Sequence, residues 1–182
     1  RDRMIRALTW QPVDRPPHYE QMFELEHEAF GLRFPDRAVW RDVAGDKRRR
    51  LIDRCMDIYE RIITTYQWDA LLVYWPWSDP AGVAAASRRF GDHVLVGTLV
   101  GGGLWCIDTI ADWEQFALDL FENPAALHDE ADRRCAKALA RIDRLVDAGA
   151  EIIHLVHDVA YNTGPFCSRA HFDRLVTPYL AR

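Results

Sequence analysis

The chain has 182 residues, of which 49% are hydrophobic and 28% are charged, and its formal net charge is −5. This composition is typical of a soluble globular protein and excludes a disordered chain, which has too few apolar residues to bury. The acidic balance argues against nucleic acid as the main partner. No apolar run approaches the roughly 20 residues that span a bilayer, so no membrane partner is expected.

The first half of the chain is predicted to be mainly helical up to one buried strand. Apolar residues recur at helical spacing through 47–66, with Asp46 as the expected N-cap. The apolar run over 69–75 that follows is typical of a buried parallel strand. The predicted elements before the long helix are a short helix over 1–8, a breaker cluster over 11–17, a short strand over 18–22, a weak helix over 24–30 closed by Gly31, and a loop over 32–45.

The second half repeats the alternation of helix and strand. Its predicted elements are a loop over 76–80, a helix over 81–89, a strand over 93–99, a helix over 113–121 capped by Asp112, a helix over 124–148, a strand over 151–157, and a last helix that Ser168 begins. This alternation predicts an α/β fold with parallel strands, either a (β/α) barrel or a doubly wound sheet. In both folds, functional residues lie at the carboxyl ends of the strands.

Polar and aromatic residues collect after the predicted strands and in the breaker region. Trp75 and Trp77 either line a pocket for a flat or apolar ligand or pack in the core. Asp79 precedes a proline, a position that is also typical of a turn. The glycine run over 101–103 lacks the spacing of a dinucleotide or phosphate loop. It either lets a ligand approach the backbone or forms a turn. The candidate substrate-binding residues are His18, Tyr19, Glu20, Tyr74, Trp75, Trp77, Asp79, Gly102 and Tyr161.

The strand predicted over 151–157 ends in unusual residues, which are the catalytic candidates. Unpaired polar groups are costly to bury, at roughly 2–7 kcal/mol each, so His154, His157 and Asp158 are paired, hydrated or functional. Neighbouring strand residues point to opposite faces, so His157 and Asp158 are not predicted to form a direct dyad. The same alternation puts His154 and His157 on opposite faces, which disfavours a shared metal ion. We select His157 and Asp158 as candidate catalytic residues.

The four cysteines are scattered and form no C-x-x-C pair, so neither a disulfide framework nor a zinc finger is predicted. Cys55 and Cys135 fall on apolar helical stripes and are expected to be buried thiols. This use of cysteine favours a reducing, cytoplasmic location.

Several segments resemble the uroporphyrinogen decarboxylase superfamily, in the same order along the chain. The segments 1–8 and 12–17 are similar to its amino-terminal signature, R-[ED]-R-x-x-x-A-L followed by D-R-x-P. The segment 149–153 resembles a G-A-[DE]-x-[IV] strand, and 168–180 resembles an S-P-x-x-F … P-Y segment. The resemblance implies a (β/α)8 TIM barrel, of which residues 1–182 are the amino-terminal portion of a single domain. Because the chain begins at Arg1 and stops inside a predicted helix, we expect a longer protein.

The resemblance implies one of two activities. One branch of the family decarboxylates uroporphyrinogen III in porphyrin biosynthesis without a cofactor. The other branch comprises methyltransferases that move a methyl group between a corrinoid protein and a thiol or folate acceptor, often with zinc. Family decarboxylases carry an arginine-rich segment after the first strand, but residues 17–24 contain no arginine and include Glu20 and Glu24. The aspartate expected after the second strand is also displaced, because Asp79 comes several residues late.

These departures favour the methyltransferase branch over the decarboxylase. The zinc ligands of that branch, a His-x-Cys and a later cysteine, are expected beyond Arg182, so no metal ligand is assigned. The partners expected are a small-molecule substrate, a corrinoid protein and, as an open alternative, a second copy in a homodimer. A non-catalytic docking module is the third hypothesis.

Overall fold

The computed structural model describes residues 1–182 and contains nine α-helices and two small sheets. The helices are α1 (Asp2–Leu8), α2 (Glu26–Phe30), α3 (Arg37–Arg41), α4 (Gly45–Tyr66), α5 (Pro80–Phe90), α6 (Trp113–Glu122), α7 (Pro124–Asp147), α8 (Arg169–Leu175) and α9 (Thr177–Leu180). The strands are β1 (Ala70–Val73), β2 (Leu95–Val100), β3 (Ile152–Leu155), β4 (Ala160–Tyr161) and β5 (Gly164–Pro165), and a 3₁₀ turn covers Ile107–Thr109.

The main sheet is parallel, with strand order β1-β2-β3. The register of β1 and β2 runs from Ala70 opposite Leu95 to Val73 opposite Thr98. Every residue of these two strands is buried. Apart from the buried Thr98, the two strands carry no polar side chain, which reflects burial on both faces of the sheet, the usual state of parallel strands.

The predicted (β/α)8 barrel is wrong. The three parallel strands form an open sheet in which β1 and β3 are the outer strands, and β4 and β5 pair with each other as an antiparallel hairpin. The strand predicted over 18–22 does not form. The His18 carbonyl accepts a hydrogen bond from the Asp69 N–H (2.7 Å), but no ladder continues from it. Barrel closure requires pairing between strands far apart in sequence, and the periodicity of single strands carries no information about that pairing.

The chain divides into two compact units. The first comprises residues 1–99 and 144–154, and the second comprises residues 100–143 and 155–182, so the division passes through β2, α7 and β3. In the first unit, α4 packs against α5 through a buried stripe that includes Cys55, Ile58 and Ile62. Asp46 lies inside α4, which begins one residue earlier after Ala44, so the cap predicted at Asp46 is wrong.

Close packing in the first unit explains Gly97 in the middle of β2. A Cβ atom at Gly97 would lie 2.7 Å from Ile152 of β3 and 2.8 Å from Leu72 of β1. Only a glycine leaves room at this point for the side chains of Ile152 and Leu72 from the two neighbouring strands. A small cluster formed by Met4, Ala70 and Leu95 buries one side of α1.

The second unit has its own apolar core. Its buried residues are Leu104, Trp105, Ile110, Phe116, Leu127, Ala131, Cys135, Leu175, Val176 and Tyr179. Two predicted caps are confirmed here, because Asp112 accepts a hydrogen bond from the Gln115 N–H (3.0 Å) and Ser168 accepts one from the His171 N–H (3.3 Å). None of the helices in the structure combines the length and the apolar character needed to cross a membrane.

Candidate functional site

The segment that follows β1 is held in place by a phenol from α4. We call residues 74–79 the β1 loop. The Tyr59 hydroxyl accepts hydrogen bonds from the backbone N–H groups of Tyr74 (3.1 Å) and Trp75 (2.8 Å), and it donates to the Trp75 carbonyl (3.2 Å). Burial raises the pKa of Tyr59 well above its ordinary value, so the hydroxyl stays protonated. The loop is therefore anchored to the helix at the carboxyl end of a parallel strand.

The backbone of the β1 loop is strained next to this anchor. Trp77 and Ser78 have φ angles of 50° and 51°, in the left-handed region that non-glycine residues seldom occupy. The Trp75–Pro76 peptide bond before them is cis. The Ser78 N–H donates to the Tyr74 carbonyl (2.6 Å) and closes the turn. Left-handed φ angles at non-glycine residues cluster at functional sites, so the angles of Trp77 and Ser78 support the loop as a site.

Aromatic rings contact the β1 loop, and two of them come from the region 32–45, which was predicted to be a loop. Phe34 stacks on Trp75 with ring centroids 4.3 Å apart and planes inclined by 5°, and Tyr74 meets Trp75 edge-on at 4.6 Å. Trp40 of α3, a helix that was not predicted, lies 6.3 Å from Trp77. Trp75 and Trp77 are both half-buried among these aromatic partners.

The cationic group at this loop is already neutralised. The Arg48 guanidinium forms an ion pair with Asp79, and it also lies 4.0 Å from the ring centroid of Trp40. Asp79 accepts a second hydrogen bond from the Ala81 N–H (2.9 Å) and so caps α5. The turn interpretation of Asp79 is confirmed, and Arg48, which was not among the candidate residues, contacts the loop through Asp79.

Glu26 of α2 is a further residue that the sequence analysis missed. One oxygen of its carboxylate, Oε2, is buried and has no hydrogen-bond partner. The Glu26 charge is one of the smaller influences that raise the pKa of Tyr59, so the carboxylate lies within electrostatic range of the phenol that anchors the β1 loop. A buried acceptor without a donor is the kind of group that a ligand or a proton satisfies.

The predicted residues His18, Tyr19 and Glu20 lie at the other end of β1. The His18 N–H donates to the Asp69 carboxylate (2.8 Å), and its ring contacts the Tyr66 carbonyl (3.2 Å) and the edge of Trp68. Asp69 immediately precedes β1, so roughly 17 Å of extended strand separates it from the β1 loop. His18, Tyr19 and Glu20 are exposed there, and the structure does not bring His18 together with Trp75.

Asp69 binds Arg3 and Arg15, two of the residues on which the resemblance to the family signature rests. Its side chain is 5% exposed and accepts hydrogen bonds from Arg3 (2.5 Å) and Arg15 (2.8 Å), while Arg3 also pairs with Asp14. Burial raises the pKa of Asp69, but the His18 N–H and the two guanidinium groups outweigh it and leave the pKa below the ordinary value. The signature residues therefore fasten the amino-terminal segment to the start of β1.

In the second unit, His157 is the most unusual candidate residue. It follows β3, which ends at Leu155, two residues earlier than the strand predicted. Its Nε2 atom is buried and has no hydrogen-bond partner, and burial lowers the pKa of the imidazole below 6.5. His157 lines a cavity of about 70 Å³ together with residues of α7 and α9. The imidazole is therefore uncharged at neutral pH, and its buried Nε2 atom is left without a hydrogen-bond partner.

The other candidates of the second unit are placed differently. The Asp158 side chain is exposed, and its carbonyl accepts a hydrogen bond from the Ile107 N–H (2.8 Å). Gly102 has a φ angle of 79° and open space where a Cβ would point, so it serves a turn. Tyr161 is half exposed in the β4–β5 hairpin and lies 6.1 Å from Trp113.

The residues present do not fit a zinc ion. Nowhere does the structure bring together three or more histidine, cysteine, aspartate or glutamate side chains in an arrangement that could hold a metal. All four cysteines are free thiols. Cys55, Cys106 and Cys135 are buried, and burial raises the pKa of Cys55 to about 12. No step of the chemistry below is therefore assigned to a metal held by these residues.

Comparison with known proteins adds no relative. No protein-family model matches the chain, and no curated protein sequence matches it at a significant level.

Proposed function

We propose that the protein is a cytoplasmic methyltransferase related to the uroporphyrinogen decarboxylase superfamily. It would move a methyl group between a corrinoid protein and a thiol or folate acceptor. The location follows from the absence of a disulfide pattern among its cysteines, and the activity from the sequence resemblance together with the site geometry. In this proposal the corrinoid is held by a partner protein, so the chain itself supplies contacts to the substrate rather than a corrinoid-binding pocket.

The observation that carries the proposal is the neutralised arginine at the β1 loop. Uroporphyrinogen has eight carboxylates, and recognition of such an anion requires free guanidinium groups that form paired hydrogen bonds with them. Arg48 is engaged by Asp79 and covered by Trp40, and the unpaired Glu26 oxygen adds negative charge nearby. An aromatic loop whose arginine is already paired suits an uncharged or apolar substrate, which favours methyl transfer over decarboxylation.

His157 supplies the acid–base chemistry that methyl transfer to a thiol requires. The new carbon–sulfur bond uses a sulfur electron pair, the electrons of the broken bond stay with the methyl donor, and the thiol proton needs an acceptor. The imidazole is uncharged at neutral pH because burial lowers its pKa, and its Nε2 atom has no competing partner. It can therefore take the proton at that atom, a role that contributes about a hundredfold or more to a rate.

The direct test is a demethylation assay. The protein is incubated with methylcobalamin and a panel of thiols, with and without added zinc, and the loss of the methylcobalamin absorbance is followed. We expect thiol-dependent demethylation, and we expect His157→Gln to slow it by about a hundredfold. The matched control is His27→Gln, because His27 is an exposed histidine of α2 in the first unit.

A parallel incubation with uroporphyrinogen III separates the two branches. We expect the substrate to remain unchanged. Formation of coproporphyrinogen would overturn the proposal in favour of the decarboxylase. Failure of every thiol, combined with capture of a corrinoid protein, would instead favour a non-catalytic docking module.

A further inference from the structure

The β4–β5 hairpin and α8 border a cavity much larger than the one beside His157. Residues 156–168 connect β3 to α8, so the cavity lies in the connection that leaves the carboxyl end of a parallel strand, where open α/β sheets bind their ligands. Its volume is about 400 Å³, within the usual range of small-molecule sites. Its apolar lining residues are Val159, Ala160, Pro165 and Phe172.

Two oppositely charged side chains of α8 line the same cavity and are accessible. The side chain of Arg169 is 94% exposed, and that of Asp173 is 54% exposed. One long hydrogen bond joins them, from Arg169 Nε to Asp173 Oδ2 (3.4 Å), and the terminal nitrogens of Arg169 have no partner. The other Asp173 oxygen accepts only a long hydrogen bond from the Thr177 hydroxyl (3.5 Å). Both charged groups therefore keep hydrogen-bonding capacity that a ligand can use.

The remaining lining residue, Cys167, adds no charge at neutral pH. Burial raises the pKa of its thiol above the ordinary value, so the thiol stays protonated. The cavity therefore presents one cation and one anion, four residues apart on the same helix, beside an apolar wall.

We infer that this cavity binds an α-amino acid with an apolar side chain, with its carboxylate on Arg169 and its ammonium group on Asp173. A ligand with only a carboxylate brings its charge next to Asp173, and a ligand with only an amine brings its charge next to Arg169. In an amino acid both charged groups are attached to one carbon atom, so they match a guanidinium and a carboxylate that are 3.4 Å apart. The apolar side chain then lies against the apolar lining residues.

The volume of the cavity limits the size of the amino acid. A cavity of about 150 Å³ holds benzene, which has six carbon atoms, so about 400 Å³ holds roughly sixteen non-hydrogen atoms. Phenylalanine has about twelve such atoms and fits as a whole. Because both charged groups of the site are exposed to water, the affinity is modest, and we expect a Kd of about 1 mM for L-phenylalanine. This binding does not rest on the proposed methyl transfer.

The test is an NMR titration of the intact chain with four separate probes. L-phenylalanine carries both charges, L-phenylalaninamide lacks the negative charge, 3-phenylpropanoate lacks the positive charge, and glycine lacks the apolar side chain. Each is added to ¹⁵N-labelled protein, and the backbone amide signals of residues 167–173 are followed. We expect saturable shifts with L-phenylalanine and a Kd at least about tenfold higher for each of the other three probes.

A pair of arginine variants separates a bound carboxylate from a general effect of charge. Arg169→Gln removes the cation of the cavity, and Arg174→Gln makes the same change on the same helix outside it. Arg169→Gln should weaken the binding of L-phenylalanine by about tenfold without weakening that of L-phenylalaninamide, whereas Arg174→Gln should leave both Kd values unchanged. Asp173→Asn should weaken the binding of L-phenylalanine without weakening that of 3-phenylpropanoate. Circular dichroism confirms that the variants are folded.

Several results would overturn the inference. One is the absence of a saturable shift up to about 50 mM L-phenylalanine, roughly fiftyfold above the expected Kd. Another is equal binding of any of the other three probes, which would show that one charge or the apolar side chain is not recognised. The third is equal weakening by the two arginine variants. The titration contains no methyl donor, so its outcome and that of the demethylation assay are independent.

Discussion

Replacement of Asp69 tests whether the amino-terminal segment is held by one buried carboxylate. Asp69 accepts hydrogen bonds from Arg3 (2.5 Å), Arg15 (2.8 Å) and the His18 N–H (2.8 Å). Hydrogen bonds to a charged group contribute about 1.5–3 kcal/mol each. Because the arginine side chains remain 26% and 35% exposed, water replaces part of each lost bond. We therefore expect Asp69→Asn to lower the free energy of unfolding by about 3 kcal/mol.

Urea unfolding at pH 7, followed by far-UV circular dichroism and tryptophan fluorescence, measures this loss. With a slope of about 2 kcal/mol per molar urea, the midpoint should fall by about 1.5 M. Asp14→Asn is the matched control, because Asp14 also binds Arg3 but its side chain is 69% exposed, and exposed ion pairs contribute little. Equal midpoints for the two variants would refute the assignment of the anchor to Asp69.

The same comparison has a defined pH dependence. The pKa of Asp69 is lowered below 3.8 in the folded protein, so its contribution is complete above the unfolded value and is lost as the pH falls through the folded value. The difference in stability between the wild type and Asp69→Asn should therefore be constant from pH 7 to about pH 5 and shrink below about pH 4. A difference that does not change with pH would show that packing rather than charge holds the segment.

Further predictions concern the β1 loop, the sheet and His157, the candidate catalytic histidine. Tyr59→Phe leaves the part-buried Trp75 N–H without its acceptor and should lower the free energy of unfolding by about 2 kcal/mol, as measured by urea titration; an unchanged midpoint would contradict this role. Gly97→Ala places a methyl group 2.7 Å from Ile152 and should cost about 2 kcal/mol or more, visible as a lower thermal midpoint. If the proposed methyl transfer uses His157 as its base, the rate should stay level from pH 8 to below pH 6.5 and then fall as His157 is protonated. His157→Gln should remove this inflection.

Features encoded by a few neighbouring residues were predictable from the sequence. The stripe of α4 and the length of α7 follow from helical spacing, and both boundaries lie within a few residues of those predicted. The caps at Asp112 and Ser168 formed because a side chain needs only the next turn of backbone as its partner. Asp46 is not the cap because α4 begins one residue before it. Neighbouring positions compete as helix starts, and a shift of one residue changes which side chain can cap the helix.

Features that depend on distant residues were not predictable. The open sheet, in place of a barrel, depends on which strands pair, and His18 lies at the amino end of β1 because Asp69 holds it there. Trp75 and Asp79 were selected from their position after a buried strand, but their partners Phe34 and Arg48 come from segments that showed no sign of a site. A local sequence pattern cannot identify a residue that reaches the β1 loop only through tertiary packing.

The strand order also bears on how the sheet assembles. Thr98 of β2 donates to the Val73 carbonyl of β1 across 25 residues of chain, whereas the contact between Val96 of β2 and Glu151, next to β3, spans 55 residues. Closing the longer loop costs only about 0.7 kcal/mol more, equivalent to roughly a threefold difference in population. Chain entropy therefore favours the β1–β2 pairing first, but by so little that the packing of Gly97 against Ile152 and Leu72 can decide when β3 joins.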